Sequence, residues 1–115
     1  MKLGINSLSL AVKDIEASKR FYETLGFKGV PDGGSVKEKW LIMENGGTKI
    51  GLFQDMFPNN IITFNPKNAR AIHKAVTEAG LPVLSASRTV EDETGACNFM
   101  IADPDGNQIL FDQFE

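Results

Sequence analysis

LSLAVKDIEASKRFYETLGF, residues 8–27, decides the fold, because the chain repeats its pattern. SLSLAV at 7–12 alternates small polar with aliphatic residues, as a strand with one buried face does. Asp14 stands where a helix wants an N-cap. Ile15, Ser18, Phe21, Tyr22 and Leu25 then recur at helical spacing, and Gly26 takes the place of a left-handed residue just past the helix end. The same plan returns in ITFNPKNARAIHKAVTEAGL, residues 62–81. Ile61-Ile62-Thr63-Phe64 reads as a strand, and Asn65-Pro66 as an N-cap with proline at the first helical position. Ala69, Ile72, Val76 and Ala79 form the apolar stripe, and Gly80 ends it. Laying Gly26 on Gly80 gives an offset of 54 (80 − 26), and that offset also lays Leu8 on Ile62 and Leu10 on Phe64.

Working outward, three strands are expected after each helix. In the first half they fall at 27–31, 36–44 and 48–54, with Asn45-Gly46-Gly47 as a hairpin turn. In the second they fall at 82–87, 96–102 and 107–113, with Asp103-Pro104-Asp105-Gly106-Asn107 as the last turn. The predicted plan is βαβββ twice, in modules of about 1–57 and 58–115 that make one domain. Neither copy buries both its helix stripe and its sheet face alone, whereas two together do. The net charge of −3 offers no basic stripe to neutralise phosphates, so no nucleic-acid partner is expected. The single cysteine, Cys97, can form neither an internal disulfide nor a zinc cluster. No apolar run long enough for a signal peptide or a membrane span is present, so a cytoplasmic protein without membrane partners is expected.

With the turn and repeat in place, LSLAVKDIEASKRFYETLGF and the closing IADPDGNQILF at 101–111 resemble the vicinal oxygen chelate superfamily, the glyoxalase, bleomycin-resistance and extradiol-dioxygenase group. The resemblance implies an α+β fold, two βαβββ modules forming a curled mixed sheet around a cleft, and commonly a homodimer. It also implies one divalent cation held by His, Glu or Gln from the first and last strand of each module. Carried over by motif, the ligand positions here are Ser7, Gly51, Ile61 and Leu110. None of the four is a good ligand for a divalent ion. The expectation is therefore a protein with no metal, no cofactor and no catalytic residue of the usual kind.

Strand parity names the residues that would line the cleft instead. With Ser7, Gly51, Ile61 and Leu110 facing inward, so do Ser9, Ala11, Phe53, Thr63, Asn98, Met100 and Asp112. The face taken by Trp40 depends on whether the turn at 45–47 has two or three residues, and Trp40 is kept among the ligand-binding candidates. Phe53, Met100 and Trp40 could stack on a flat ligand, and Asp112 could pair with a cation. His73 belongs on a helix and Cys97 on the helix-facing side of its strand. Glu91, Asp92 and Glu93 form an acidic loop. The function expected is binding or sequestration of a small organic molecule, as in the bleomycin-resistance branch. The alternatives are a lyase, isomerase or dioxygenase, with metal ligands outside the usual four or with Asp112 or Tyr22 as metal-free acid–base groups, and a non-catalytic dimerising domain.

Overall fold

The computed structural model describes residues 1–115. Its elements run β1 (Ile5–Val12), α1 (Ile15–Thr24), β2 (Lys28–Ser35), β3 (Trp40–Asn45), β4 (Thr48–Gln54), β5 (Ile61–Asn65), α2 (Ala69–Glu78), β6 (Ser85–Ala86), β7 (Cys97–Ala102) and β8 (Gln108–Gln113). This is the α+β, twice-repeated βαβββ plan. The helices begin at Ile15 and Ala69, the same offset of 54 (69 − 15) read from the sequence. The chain forms two compact units. The first is residues 7–60, and the second is 61–115 together with 1–6. No helix is long and apolar enough to cross a membrane.

In the first unit the strands lie in the order β2-β3-β4-β1, with β1 parallel to β4 and the other neighbours antiparallel. Ile15 of α1 is buried with Leu41, Met43, Ile50 and Leu52, and Leu10, Val12 and Tyr22 pack against them. Met43 and Leu52 are wholly withdrawn from water, worth about 1.5–3 kcal/mol each in transfer free energy. Asp14 caps α1 as expected, its carboxylate accepting from the Ala17 amide at 3.1 Å. Gly26, at φ +94, takes the left-handed turn beyond the helix.

In the second unit the order is β5-β8-β7-β6, with β5 parallel to β8. Ala69, Ile72 and Val76 of α2 are buried with Cys97, Phe99, Ile101 and Phe111. Phe64, Phe111 and Phe99 stack in series, with centroids 5.8 and 4.8 Å apart. Cys97 thus occupies the helix-facing layer assigned by parity. His73 sits half-buried on α2 with its ring edge-on to Phe99, centroids 5.0 Å apart, as a packing residue. Residues 1–6 are clasped to β5. Asn6 Nδ2 donates to the Thr63 carbonyl at 3.1 Å. Gly4, at φ +80, lies so close to β5 that a Cβ there would collide with the Asn65 carbonyl oxygen.

Four local expectations change. The cap of α2 is Asn68, whose Oδ1 accepts from the Ala71 amide at 3.0 Å. Asn65 stays in β5 and its Nδ2 donates to the Asp112 carbonyl at 3.0 Å, so Pro66 precedes the helix instead of opening it. Residues 36–39 form a turn, not the start of a strand, because the Ser35 and Val36 carbonyls accept from the Glu38 and Lys39 amides and Lys39 takes φ 67. β2 runs on to Ser35, with a register shift between Gly29 and Gly34 that Asp32 (φ 58) and Gly34 (φ +83) accommodate. The strand expected at 82–87 shrinks to Ser85–Ala86 and leads into a 3₁₀ turn at Arg88–Glu91.

One repeated feature is not visible in the sequence. The first amide of each helix donates to a glutamine at the end of its module's last strand: Ile15 to Gln54 Oε1 at 2.9 Å, and Ala69 to Gln113 Oε1 at 2.8 Å. The two glutamines stand at an offset of 59 (113 − 54) instead of 54, so a single offset cannot align them. Each satisfies a helix-end donor that would otherwise lack a partner.

Candidate functional site

In each unit the strands have one face under the helix and one face without a helix, and the candidate residues lie on the helix-free faces. In the first unit Leu41, Met43, Ile50 and Leu52 take the helix side, so the alternate residues take the other. The β3–β4 hairpin pairs Asn45 with Thr48, leaving Gly46 and Gly47 as a two-residue turn. That register puts Trp40 opposite Phe53 and Ile42 opposite Gly51, and β1 brings Ser9 beside Gly51 and Ala11 beside Phe53. Trp40 therefore shares the helix-free face with Phe53, which settles the side that the sequence left open. Ser7 and Ser9 are buried on this face.

Phe53 does not stand up from the sheet. A Cβ built on Gly51 would meet Phe53 Cε2 at 2.5 Å and Cζ at 3.1 Å, and Ile42 Cδ1 at 3.0 Å. The Phe53 ring thus lies over Gly51, and Phe57 leans on it with centroids 5.2 Å apart. The Trp40 indole is laid against Gly34 in the same manner, with Cδ2 2.6 Å and Cε3 2.7 Å from the position of a Gly34 Cβ.

In the second unit the helix side is taken by Cys97, Phe99, Ile101 and Phe111. The other face brings together Thr63 opposite Leu110, Met100 opposite Leu110, and Asn98 opposite Asp112, with Ile61 one inward position before Thr63. Thr63 is to Leu110 what Ser9 is to Gly51, which shows that the two faces are built alike. Ile61 and Thr63 are buried, while Met100, Leu110 and Asp112 are half-buried. Burial pushes the Asp112 carboxyl above its ordinary range. Asp112 forms no ion pair; the chain's one salt bridge joins Lys39 to Asp55, on the surface, at 3.4 Å.

The acidic loop has a defined anchor. Arg70 donates from Nη1 to the Gly95 carbonyl at 2.9 Å, and from Nη2 to the carbonyls of Thr89 (2.8 Å) and Thr94 (3.1 Å). Glu91, Asp92 and Glu93 remain exposed outside this clamp. Two hollows are present. One of about 400 Å³ runs between β1 and α1 and is lined by Ala11 and Tyr22, both named from the sequence, with Leu10, Val12, Phe21 and Asn60 among others. Another of about 330 Å³ is bounded by Asn65, Pro66, Lys67 and residues 113–115. No three His, Cys, Asp or Glu side chains gather in a group that could hold a metal ion.

Comparison with known proteins gives one family and one fold. The model of the Glyoxalase/Bleomycin resistance protein/Dioxygenase superfamily matches residues 4–111. No curated protein matches. Among solved structures, a glyoxalase/bleomycin resistance protein/dioxygenase superfamily member from Vibrio splendidus superposes with a TM-score of 0.67 at 18% identity, over 94% of this chain and 97% of that one. A hypothetical protein from Bacillus halodurans does so at 0.70 and 17%, over 96% and 95%. A variant of methylmalonyl-CoA epimerase from Streptomyces coelicolor, in complex with 2-nitronate-propionyl-CoA, does so at 0.66 and 15%, over 99% of each chain.

Proposed function

The chain belongs to the glyoxalase/bleomycin resistance protein/dioxygenase superfamily, and from that premise we propose that it binds a small organic molecule on its helix-free sheet faces without the divalent metal that the resemblance implies, sequestering the molecule in the manner of the bleomycin-resistance branch. The observation that carries this reading is Asp112. It is a half-buried carboxylate beside Leu110, Met100 and Asn98 with no protein cation paired to it. A charge in such apolar company attracts an organic cation more strongly than the same charge in water does.

The absence of a metal from this reading rests on the donor set. Ser7, Gly51, Ile61 and Leu110 offer one hydroxyl, no carboxylate and no imidazole, and the Phe53 ring overlies the backbone of Gly51. These residues do not fit an octahedral divalent ion, which takes oxygen or imidazole donors. No step of the proposed function passes through a metal. The protein is also proposed to act as a homodimer in the cytoplasm. The dimer is supported by apolar residues of the first unit left in water, namely Phe21 of α1, Leu25 just past its end and Leu8 of β1.

The test is a thermal-shift screen of organic cations, 1-methylquinolinium and benzyltrimethylammonium among them, in the presence of a chelator. A ligand present at one hundred times its Kd stabilises the native state by about 2.7 kcal/mol, which is readily seen. At least one cation should raise the melting temperature, and Asp112→Asn should remove that rise while leaving neutral ligands unaffected. Stabilisation by no compound, or only by compounds given together with a divalent metal, would overturn the proposal.

A further inference from the structure

We infer that the helix-free face of the first unit is a platform for flat, uncharged aromatic molecules, made by laying the rings of Trp40 and Phe53 down upon glycines. The inference rests on the small-molecule reading above and names a ligand class for it. Gly51 is the starting point. It lies in the middle of β4, and its backbone is not among those with positive φ, so no turn demands a glycine there. Glycine in a strand interior weakens the strand and marks a place where something must come close. What comes close is Phe53, whose ring folds back along its own strand until Cε2 is 2.5 Å from the point a Cβ would occupy. Any larger residue at 51 would push the ring away.

Gly34 does the same for Trp40. Its positive φ of +83 and the Trp40 carbonyl oxygen, with which a Cβ there would collide, are further reasons for glycine, and the indole atoms at 2.6 and 2.7 Å fill the same space. Trp40 and Phe53 are direct cross-strand partners on one face, the indole laid toward Gly34 of β2 and the phenyl folded along β4 over Gly51, and Phe57 extends the surface beyond Phe53. A ring lying on the backbone turns a broad face outward instead of its edge. All three remain half-buried, so part of each ring still meets solvent. Aromatic faces take a second ring in offset stacking, which adds to the area buried. Charge does not select the guest on this face. Glu44 and Lys49 are the charged residues of the same parity on β3 and β4, and they stand opposite one another in the ladder. Selection therefore falls to flatness and π surface.

The experiment uses a single reporter. Trp40 is the only tryptophan in the chain, so it gives one indole N–H resonance. The intact protein is titrated with 2-naphthol and, in parallel, with decahydro-2-naphthol, which has the same skeleton but is not flat. The expected result is a saturable shift of the indole resonance with 2-naphthol and at least tenfold weaker binding of the saturated alcohol. Phe53→Leu, which keeps apolar bulk and removes the ring, should weaken 2-naphthol by about 2- to 10-fold. Gly51→Ala should also weaken it by displacing the ring, and adding Gly51→Ala to Phe53→Leu should cost no further affinity. Each variant is first checked for a dispersed native spectrum, and Trp40→Leu, followed by calorimetry, provides a second route should one of them not fold. Equal affinity for the two alcohols, an indole resonance that does not move, or variants that bind like the natural protein would overturn the platform. A cation from the screen that stabilises the protein, together with an indole resonance that 2-naphthol does not move, would overturn the platform alone and leave the binding reading standing.

Discussion

Asp112 is a carboxyl group whose ionised form folding disfavours, because burial raises its pKa above the ordinary 3.8. The sign of the pH effect follows. A group raised on folding contributes stability that is full below its unfolded value and is lost as pH rises through its folded value. At neutral pH the charge therefore costs stability, and Asp112→Asn should leave the protein as stable as before or more so. The advantage should disappear when urea denaturation is repeated below pH 3.8. A variant less stable at pH 7 than the natural protein would mean that the carboxylate has a partner after all. The face of Asp112 was legible in the sequence, since β8 alternates cleanly about the buried Phe111 and Gln113. The face of Trp40 was not, because one residue more or less in the 45–47 turn reverses every side chain of β3. The collapse of Phe53 onto Gly51 was also hidden. It is a matter of side-chain rotamer and neighbouring space, and neither is written in strand parity.

At the scale of elements, the repeat was legible because helix stripe, strand alternation and terminal glycine all obeyed one offset. The α2 cap was misplaced because Asn65 and Asn68 both precede the apolar stripe, and only the hydrogen bonds tell them apart. Asn68→Ala should cost about 1 kcal/mol in urea denaturation, the usual worth of an N-cap. Residues 36–39 are expected from the sequence to open a strand, yet Ser35 Oγ accepts from the Glu38 amide and closes a turn there instead. The 88–95 segment yields a separate prediction. Arg70 donates to three of its carbonyls, so Arg70→Met should speed amide exchange between residues 89 and 95 and leave β5 and β8 as protected as before. Unchanged exchange there would show that Gln113, which donates to Gly95 at 3.2 Å, and Ser87, which accepts from the Asn98 amide at 3.0 Å, hold the segment without it. The last turn is tied by Asp103, whose carboxylate takes hydrogen bonds from the Asn107 side chain and amide and from the Asp105 amide. Those bonds, the Asn107 side chain foremost, hold its carboxyl below the ordinary range, so this turn should loosen as pH falls through the lowered value. The backbone shift of Gly106 followed by NMR from pH 5 to 2 would report it.

For the molecule as a whole, sedimentation at micromolar concentration should give twice the 12.6 kDa chain mass. Phe21→Lys with Leu25→Lys should return it to a single chain without loss of helix, since both side chains lie outside the buried cluster under α1. A natural protein that sediments as one chain at every concentration would remove the dimer. The clasp of residues 1–6 on β5 also has a consequence for how the protein is made. Residues 1–6 are made before segment 7–60, but their partners, from Ile61 onward, only after it. At about 5–20 residues per second, that delay is on the order of 3–11 s. Throughout it Leu3, which packs on the second unit's core in the folded protein, has nothing to pack against. Slow translation of that segment would prolong the exposure, and a holdase chaperone cross-linked to stalled nascent chains should be found on the first six residues and vanish from them once residue 65 has emerged.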